Sequence, residues 1–304
     1  MTARAGDDLV GPPRLRPGEG FALRRGIWRW ALDVATERAD RPAALRVRGD
    51  GAGLAGRSFA TAAGVMHARA GGPPAAGGTG VVLVHGVLVS SRYLMPLGVE
   101  LAREVPVLIP DLPGYGLSER PTEPPTLASL ADALIACARA AGHERVALVA
   151  NSFGAQVAVE AALRHPGRVE RIALLGPTVD PAARDLVRQY LRWQRCTPDE
   201  HLSVLPIMAR DVLDVGPARA ARLLRIMLTD ALEAKLPHVG CPALVVRGGR
   251  DRVATAAWTH RVAALLPHGE LVVIPGYAHM AHYSGPLVVA QVLRPFLADS
   301  SRRQ

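Results

Sequence analysis

Short apolar runs alternate along the chain with longer segments whose apolar residues recur at helical spacing. The apolar runs are "VVLVHG", "VPVLIPD", "RVALVAN", "RIALLGP", "ALVVRGGRD" and "ELVVIPG". Strands that are apolar throughout are buried on both faces, as in a parallel sheet covered by helices. The pattern therefore predicts an α/β protein with a mostly parallel twisted sheet and helices on both of its faces.

Two segments depart from this alternation. Between the strands predicted to end at Gly176 and Gly248, residues 178–236 have mostly helical patterns, which predicts a helical cap inserted into a core of residues 57–177 and 237–304. At the start of that core, "RSFATAAG" and "VMHARAGG" flank Gly64 and predict a β-hairpin.

Residues 1–56 are predicted to be an N-terminal extension with one amphipathic helix. Its apolar face consists of Leu23, Ile27, Trp30, Ala31 and Val34. A basic amphipathic helix of this kind either docks on a protein core or lies on a membrane surface. We expect it to dock on the main domain.

Composition narrows the class of protein. With 304 residues, of which 49% are hydrophobic, the chain can bury a full core in one large domain. The net charge of +9 comes almost entirely from arginine, since Lys235 is the only lysine. The arginines are scattered and accompany no nucleic-acid-binding motif, so we expect no nucleic-acid partner.

The cysteines and the longest apolar runs bear on localisation. Cys137, Cys196 and Cys241 are odd in number and widely spaced, which fits a reducing compartment better than a disulfide framework and gives no metal-ligand spacing. No apolar run reaches the length of a membrane span. We expect a cytoplasmic protein without an integral membrane segment; the sequence leaves open whether it forms a homo-oligomer.

Reactive side chains follow the predicted strands. Ser152, Asp251 and His279 each come just after an apolar run, as does the pair His85-Gly86. The carboxyl ends of parallel strands share one edge of a sheet, so these side chains should lie close together. A serine becomes a nucleophile when a histidine takes its proton and a carboxylate orients that histidine.

The stretch "VANSFGAQ" around Ser152 has two interpretations when read alone. A nucleophilic serine on a sharp strand-to-helix turn needs small residues two positions before and after it. Gly154 meets this requirement, and Ala150 meets it with one extra methyl group. However, serine is also a favoured N-cap residue, so the local sequence fits an ordinary helix start equally well.

Taken together, the motifs resemble those of the α/β-hydrolase fold superfamily, from Arg57 to Leu297. They are "LVHGVLVSSRY", "IPDLPGYGLSERP", "VANSFGAQ", "VVRGGRD" and "PGYAHMAHYS", in the family's order. The resemblance implies that Ser152 is the nucleophile, His279 the general base and Asp251 its orienting acid. It also implies an oxyanion hole formed by the backbone N–H groups of Val87 and Phe153, with no cofactor or metal.

Some assignments have rivals. His282 is a lesser alternative for the base, and Asp180, which also follows a strand, is a lesser alternative for the acid. We expect His85 to hydrogen-bond within its loop and Asp111 to tie down the loop after its strand; neither should react with substrate.

A serine nucleophile points to acyl chemistry. The main expectation is hydrolysis of a small carboxylic ester, thioester or lactone through an acyl-enzyme, with an apolar small-molecule substrate that carries an acyl group. Asn151 favours an alternative, because the "NSFG" elbow is similar to that of hydrolases that cleave carbon–carbon bonds in ring-fission dienoates. The same fold also serves in non-catalytic ligand-binding proteins, which is an alternative of a different class.

Overall fold

The structure is a computed structural model that describes residues 21–36, 45–46, 53–74 and 79–298. Within these ranges, the side chains of residues 21–26 and 45–46 are not described. Most of the predicted N-terminal extension, including the Leu23 side chain of its apolar face, therefore lies outside the described residues.

In this part of the chain the strands form one mostly parallel sheet. They are β1 (Leu45–Arg46), β2 (Gly53–Thr61), β3 (Gly64–Gly71), β4 (Thr79–Val84), β5 (Val107–Pro110), β6 (Arg145–Asn151), β7 (Val169–Leu175), β8 (Ala243–Gly248) and β9 (Gly269–Ile274). Their order is β1-β2-β3-β5-β4-β6-β7-β8-β9. The pairs from β5 to β9 are parallel, whereas β1, β2 and β3 pair antiparallel at one edge. The predicted sheet is confirmed.

Helices fill the connections between the strands. They are α1 (Phe21–Ala35), α2 (Met95–Leu101), α3 (Leu127–Ala140), α4 (Phe153–Arg164), α5 (Leu186–Cys196), α6 (Leu205–Val215), α7 (Pro217–Thr229), α8 (Leu232–Lys235), α9 (Ala256–Leu265), α10 (Ala281–Ser284) and α11 (Pro286–Ala298). Local sequence starts some of them: Thr126 caps α3, and its hydroxyl accepts the backbone N–H of Ser129.

Both faces of the sheet are covered, as the apolar runs predict. Along β4, Val82 and Val84 belong to a buried cluster that includes residues of α3, α4 and α9. Their neighbours Val81 and Leu83 point the other way, into a cluster with residues of α2 and α11. Because successive side chains of a strand alternate between faces, an all-apolar strand contributes to both cores.

The predicted hairpin is also present. Strands β2 and β3 pair antiparallel with Thr61 opposite Gly64, and Gly64 has a φ of +99°, which glycine adopts readily. Strand β2 begins at Gly53, inside the segment predicted as an extension.

Helix α1 docks on the rest of the protein. Ile27, Trp30, Ala31 and Val34 are buried in the same apolar cluster as α2 and α11, and the helix contacts α6. Trp28, on the opposite face, is 47% exposed. No helix in the described ranges combines the length and the apolar character that crossing a membrane requires.

The connection between β7 and β8 holds α5 to α8 and no strand among its described residues. It packs on both cores: Leu223 and Met227 of α7 join one cluster, and Ile207 of α6 joins the other. This helical segment lies within the range that the sequence predicts as a cap.

Candidate active site

Ser152 stands on a sharp turn between β6 and α4. Its backbone has φ +56° and ψ −121°, outside the regions that most residues occupy, and its N–H donates to the carbonyl of Leu175 at 3.0 Å. The residue is partly exposed, and its side chain makes no capping hydrogen bond to α4. The geometry is therefore that of a strained elbow that presents a hydroxyl, and it differs from an ordinary serine N-cap.

Close backbone packing explains the small residues around this elbow. A β-carbon at Gly154 would lie 2.6 Å from the carbonyl oxygen of Val84 and 2.7 Å from that of His85, so the helix passes β4 only because glycine stands there. Ala150 is fully buried within β6, where its methyl group is accommodated. The loop after β4 also reaches the elbow, since a β-carbon at Gly86 would lie 3.4 Å from the Ser152 Cβ.

Asp251 and His279 meet beyond the ends of β8 and β9. Nδ1 of His279 lies 2.9 Å from Oδ2 of Asp251, and both residues are buried. The other carboxylate oxygen accepts the backbone N–H groups of Val253 and Ala254 at 2.8 and 2.9 Å. Since an ionised carboxylate only accepts hydrogen bonds, Nδ1 carries the proton and Nε2 is the ring nitrogen without one.

The end of β7 makes room for this pair. Gly176, with φ +54°, is so close that a β-carbon there would lie 2.8 Å from Oδ2 of Asp251 and 3.0 Å from Nδ1 of His279. Because β6, β7 and β8 are neighbours in the sheet, their ends bring Ser152, Gly176 and Asp251 to one edge.

The charge balance favours protonation of His279. Burial alone would lower its pKa, but the Asp251 carboxylate, through its charge and its hydrogen bond, and the charge of Glu200 raise it above the ordinary value of 6.5. An imidazole in this setting is a stronger base than free histidine and is stabilised once it has taken a proton.

The lesser alternatives are placed differently. His282 is buried edge-on against the ring of Tyr93, with a centroid distance of 4.7 Å, and neither of its ring nitrogens has a hydrogen-bond partner among the described residues. Burial, with the nearby charge of His279, lowers the pKa of His282 to about 3. Asp180 pairs with Arg192 at 2.8 Å and accepts from Thr255 at 3.3 Å. Asp251 contacts the His279 ring, and Asp180 is engaged elsewhere.

His85 holds the loop after β4 in place. Its Nε2 accepts the backbone N–H of Leu112 at 3.0 Å, so Nδ1 carries the proton and donates to the carbonyl of Gly86 at 2.9 Å. Val87 follows Gly86 in this loop and is partly exposed. Phe153 is the first residue of α4, so its N–H has no acceptor within the helix.

Comparison with known proteins identifies the family. A model of the alpha/beta hydrolase family matches residues 81–292, which include the elbow at Ser152, the turn that carries Asp251 (the acid turn of the sequence prediction) and the loop that carries His279 (the histidine loop). This chain belongs to the alpha/beta hydrolase family. It is a hydrolytic enzyme with esterase and hydrolase relatives.

Three similar proteins illustrate the relationship. This α/β-hydrolase is 28% identical to the pimeloyl-[acyl-carrier protein] methyl ester esterase of Xanthomonas campestris pv. campestris (strain B100), over 73% of this chain and 96% of that protein. It is 40% identical to the 2-hydroxymuconate semialdehyde hydrolase of Pseudomonas sp. (strain CF600), over 28% of this chain and 29% of that protein. A solved thermophilic esterase from Thermogutta terrifontis superposes with a TM-score of 0.66 at 23% identity, covering 80% of this chain and 98% of the other.

Asn151 of this α/β-hydrolase is part of the scaffold behind the elbow. Its Oδ1 accepts the hydroxyl of Tyr93 at 2.8 Å, while Nδ2 donates to the carbonyls of Leu175 at 2.9 Å and His279 at 3.4 Å. The Tyr93 hydroxyl in turn accepts the N–H of Gly86 at 2.8 Å. The side chain thus joins the elbow, through Tyr93 the loop after β4, and the loop that carries His279, and its polar atoms are occupied by protein groups.

Two buried carboxylates anchor the loops that flank the site. Asp111 accepts the backbone N–H of Ser91 at 2.8 Å and lies 3.1 Å from Nδ1 of His67, so it ties down its loop as the sequence predicts. Asp211, which the sequence does not single out, reaches from α6 to accept the backbone N–H and the hydroxyl of Ser90 at 2.7 and 2.8 Å and to pair with Arg92. The helical segment is therefore fixed to the loop after β4.

No group of three or more histidine, cysteine, aspartate or glutamate side chains within the described ranges is arranged to hold a metal ion.

Proposed function

We propose that this α/β-hydrolase is a serine hydrolase that cleaves a small carboxylic ester, thioester or lactone through an acyl-enzyme. The observation that carries the proposal is the combination of a strained Ser152 elbow with an Asp251–His279 pair at the same sheet edge. Ser152 is partly exposed, and its hydroxyl is free of the capping bond that would occupy it in an ordinary helix start.

In the proposed reaction, Nε2 of His279 takes the proton of the Ser152 hydroxyl as Oγ attacks the acyl carbon. The backbone N–H groups of Val87 and Phe153 stabilise the resulting oxyanion. When the intermediate collapses, the imidazolium of His279 protonates the leaving alcohol or thiol, and the acyl group remains on Ser152. Water, deprotonated by the same histidine, then releases the acid and restores the serine.

The proposed substrate class follows from the nucleophile and from the relatives. A serine accepts an acyl group, and one relative that aligns over most of this chain is named as a methyl ester esterase. We therefore assign a small-molecule substrate of the ester type that carries an acyl group.

We also propose that residues 178–236 form a cap over the core of residues 57–177 and 237–304. The contacts in support lie at both flanks of the site: Asp211 of α6 binds Ser90, and Sγ of Cys196 at the end of α5 lies 4.0 Å from Oδ1 of Asp251. A cap held at these points would shape the entrance for the acyl chain.

Active-site labelling tests the nucleophile. A fluorophosphonate probe is expected to modify the native protein once, at Ser152, as located by mass spectrometry, and to leave Ser152→Ala unlabelled. Heat-denatured protein is the control, because labelling should require the folded elbow. A folded protein that stays unmodified would remove the serine-hydrolase proposal and favour the non-catalytic ligand-binding alternative.

A substrate panel separates the two enzymatic alternatives. We expect p-nitrophenyl esters of short acyl chains to turn over and a ring-fission dienoate to be unreactive. Partial similarity to a 2-hydroxymuconate semialdehyde hydrolase keeps carbon–carbon hydrolysis as the second candidate. Turnover confined to the dienoate would replace ester hydrolysis with that reaction while leaving the assignment of Ser152 in place.

The rate should depend on pH through His279. The base must be neutral to accept the serine proton, and its pKa is raised above 6.5, so kcat/KM should fall as pH drops through that raised value. Rates measured from about pH 5 to about pH 9 should show an acid limb with its midpoint above 6.5. Activity must return when acid-treated enzyme is diluted to neutral pH, which excludes unfolding. A midpoint below 6.5 would contradict this electrostatic account.

A further inference from the structure

A short stretch of the helical segment, residues 196–200, contacts both the loop that carries Asp251 and the loop that carries His279. At the acid turn, Sγ of Cys196 accepts the backbone N–H of Arg252 at 3.1 Å. Asp199 pairs with the side chains of Arg250 and Arg252, each at 3.1 Å. The stretch is thus attached to the loop that carries Asp251.

Glu200 attaches the same stretch to the histidine loop. Its Oε1 accepts the backbone N–H of Met280, the residue directly after His279, at 2.8 Å. Its Oε2 accepts the hydroxyl of Ser284 at 3.3 Å. A carboxylate that holds Met280 in this way limits how far the backbone of His279 can move.

The charge of Glu200 has no lysine or arginine partner within ion-pair distance in the described part of the chain. Burial, its largest influence, raises the pKa of Glu200, whereas the Met280 N–H and the charge of His279 lower it. Glu200 in turn contributes to the raised pKa of His279. The two side chains therefore influence each other's charge, and the imidazolium of His279 is the cation that Glu200 faces.

We propose that Glu200 is a positioning residue for the acid–base chemistry: a second carboxylate, supplied by the helical segment, that fixes the histidine loop and stabilises the imidazolium of His279. This proposal rests on the proposed role of His279 as general base. The helical segment would then help to position and charge the general base, in addition to any part it has in covering the substrate.

The titratable groups that influence His279 differ in charge. Asp251, from the turn after β8, and Glu200 favour the protonated ring. His282, on α10, is affected by the charge of His279, and its own pKa of about 3 keeps it neutral at working pH. Two carboxylates thus favour the imidazolium, one from the core and one from the helical segment.

Glu200→Gln tests the charge while keeping the shape. The amide oxygen can still accept the N–H of Met280, but the negative charge is lost. The measurement is a ¹H–¹⁵N NMR titration of the histidine side chains, with His279 assigned by its absence in His279→Gln. We expect His279 of Glu200→Gln to titrate at lower pH than in the wild type, and the acid limb of kcat/KM to move in the same direction.

Two further variants separate charge from general loosening. Asp199→Asn removes a neighbouring negative charge, and its contacts are with the arginines of the acid turn. It should leave the His279 titration unchanged. Glu200→Asp keeps the charge, so His279 in this variant should titrate closer to its wild-type pH than in Glu200→Gln. If the glutamine variant folds poorly, the aspartate variant still shows whether a carboxylate at this position keeps the His279 titration near that of the wild type.

The His279 titrations test the role of Glu200 independently of whether the protein hydrolyses an ester. Identical His279 titrations in the wild type and Glu200→Gln, or an equal shift in Asp199→Asn, would overturn the proposal. A shift confined to Glu200→Gln supports it even if no ester is hydrolysed, because NMR reads the imidazole directly. In that case the proposed function would fail while the pairing of Glu200 with His279 stood.

Discussion

Replacing Ser152 with alanine is expected to lower kcat/KM for an ester substrate by about 10⁵- to 10⁶-fold. The hydroxyl is the only group at the elbow that can carry the acyl chain, and removing it leaves binding and oxyanion stabilisation alone. Alanine keeps the Cβ and loses no capping bond, so the melting temperature should change little. Steady-state kinetics with a p-nitrophenyl ester measure the loss of kcat/KM, and a thermal melt measures the change in melting temperature.

The same experiment extends to the histidine. His279→Ala should cost about as much as Ser152→Ala, and the double variant should be no worse than either single one, because the two groups act as one unit. His282→Ala is the matched control. It removes a neutral ring packed on Tyr93, so the variant should lose stability and keep most of its activity.

Additive losses, in which the double variant is far slower than both single variants, would contradict the proposed proton transfer from Ser152 to His279. If His282→Ala lost turnover and His279→Ala kept it, the base would have to be reassigned to the buried ring. That reassignment would require a rearrangement of α10, since His282 has no carboxylate partner in the described residues.

The sheet and the candidate triad could be predicted because their signals are local. Each all-apolar run is long enough for one strand, and Ser152, Asp251 and His279 follow such runs directly. Parallel strands then bring these positions to one edge without further information. At least one helix start also has a local signal, since Thr126 caps α3.

The groups that support the site could not be predicted, because their partners are far away in sequence. Asp211 binds Ser90 across 121 positions, and Glu200 binds Met280 across 80. Each is an ordinary acidic residue in an amphipathic or polar stretch, and solvent exposure would be the default expectation for it. Only the docking of the helical segment on the core gives these carboxylates their roles.

Asn151 shows the opposite case, a residue whose local pattern suggested more than its contacts support. The "NSFG" elbow favours cleavage of a carbon–carbon bond, but the Asn151 side chain binds Tyr93 and two backbone carbonyls. Such contacts serve any chemistry that needs a rigid elbow. The choice between ester and carbon–carbon cleavage therefore depends on the substrate panel.

The acid is tested by Asp251→Asn, which should lower kcat by about 10⁴-fold at neutral pH with little change in melting temperature. The backbone N–H groups of Val253 and Ala254 hold the oxygen at one position of the side chain. An asparagine would keep its oxygen there and turn its NH₂ group towards Nδ1 of His279. Nδ1 would then have to accept, so the ring proton would move to Nε2 and block uptake of the serine proton.

Asp180→Asn is the matched control for this substitution. Asp180 follows the neighbouring strand β7, but its carboxylate binds Arg192 and Thr255, so the variant should keep kcat within roughly threefold of the wild type. The measurement is kcat of both variants in stopped assays. Circular dichroism checks that the two proteins are folded to the same extent. A large loss in Asp180→Asn with a small one in Asp251→Asn would transfer the acid to the end of β7. Because His279 contacts Asp251 at 2.9 Å, that result would require the histidine loop to rearrange before catalysis.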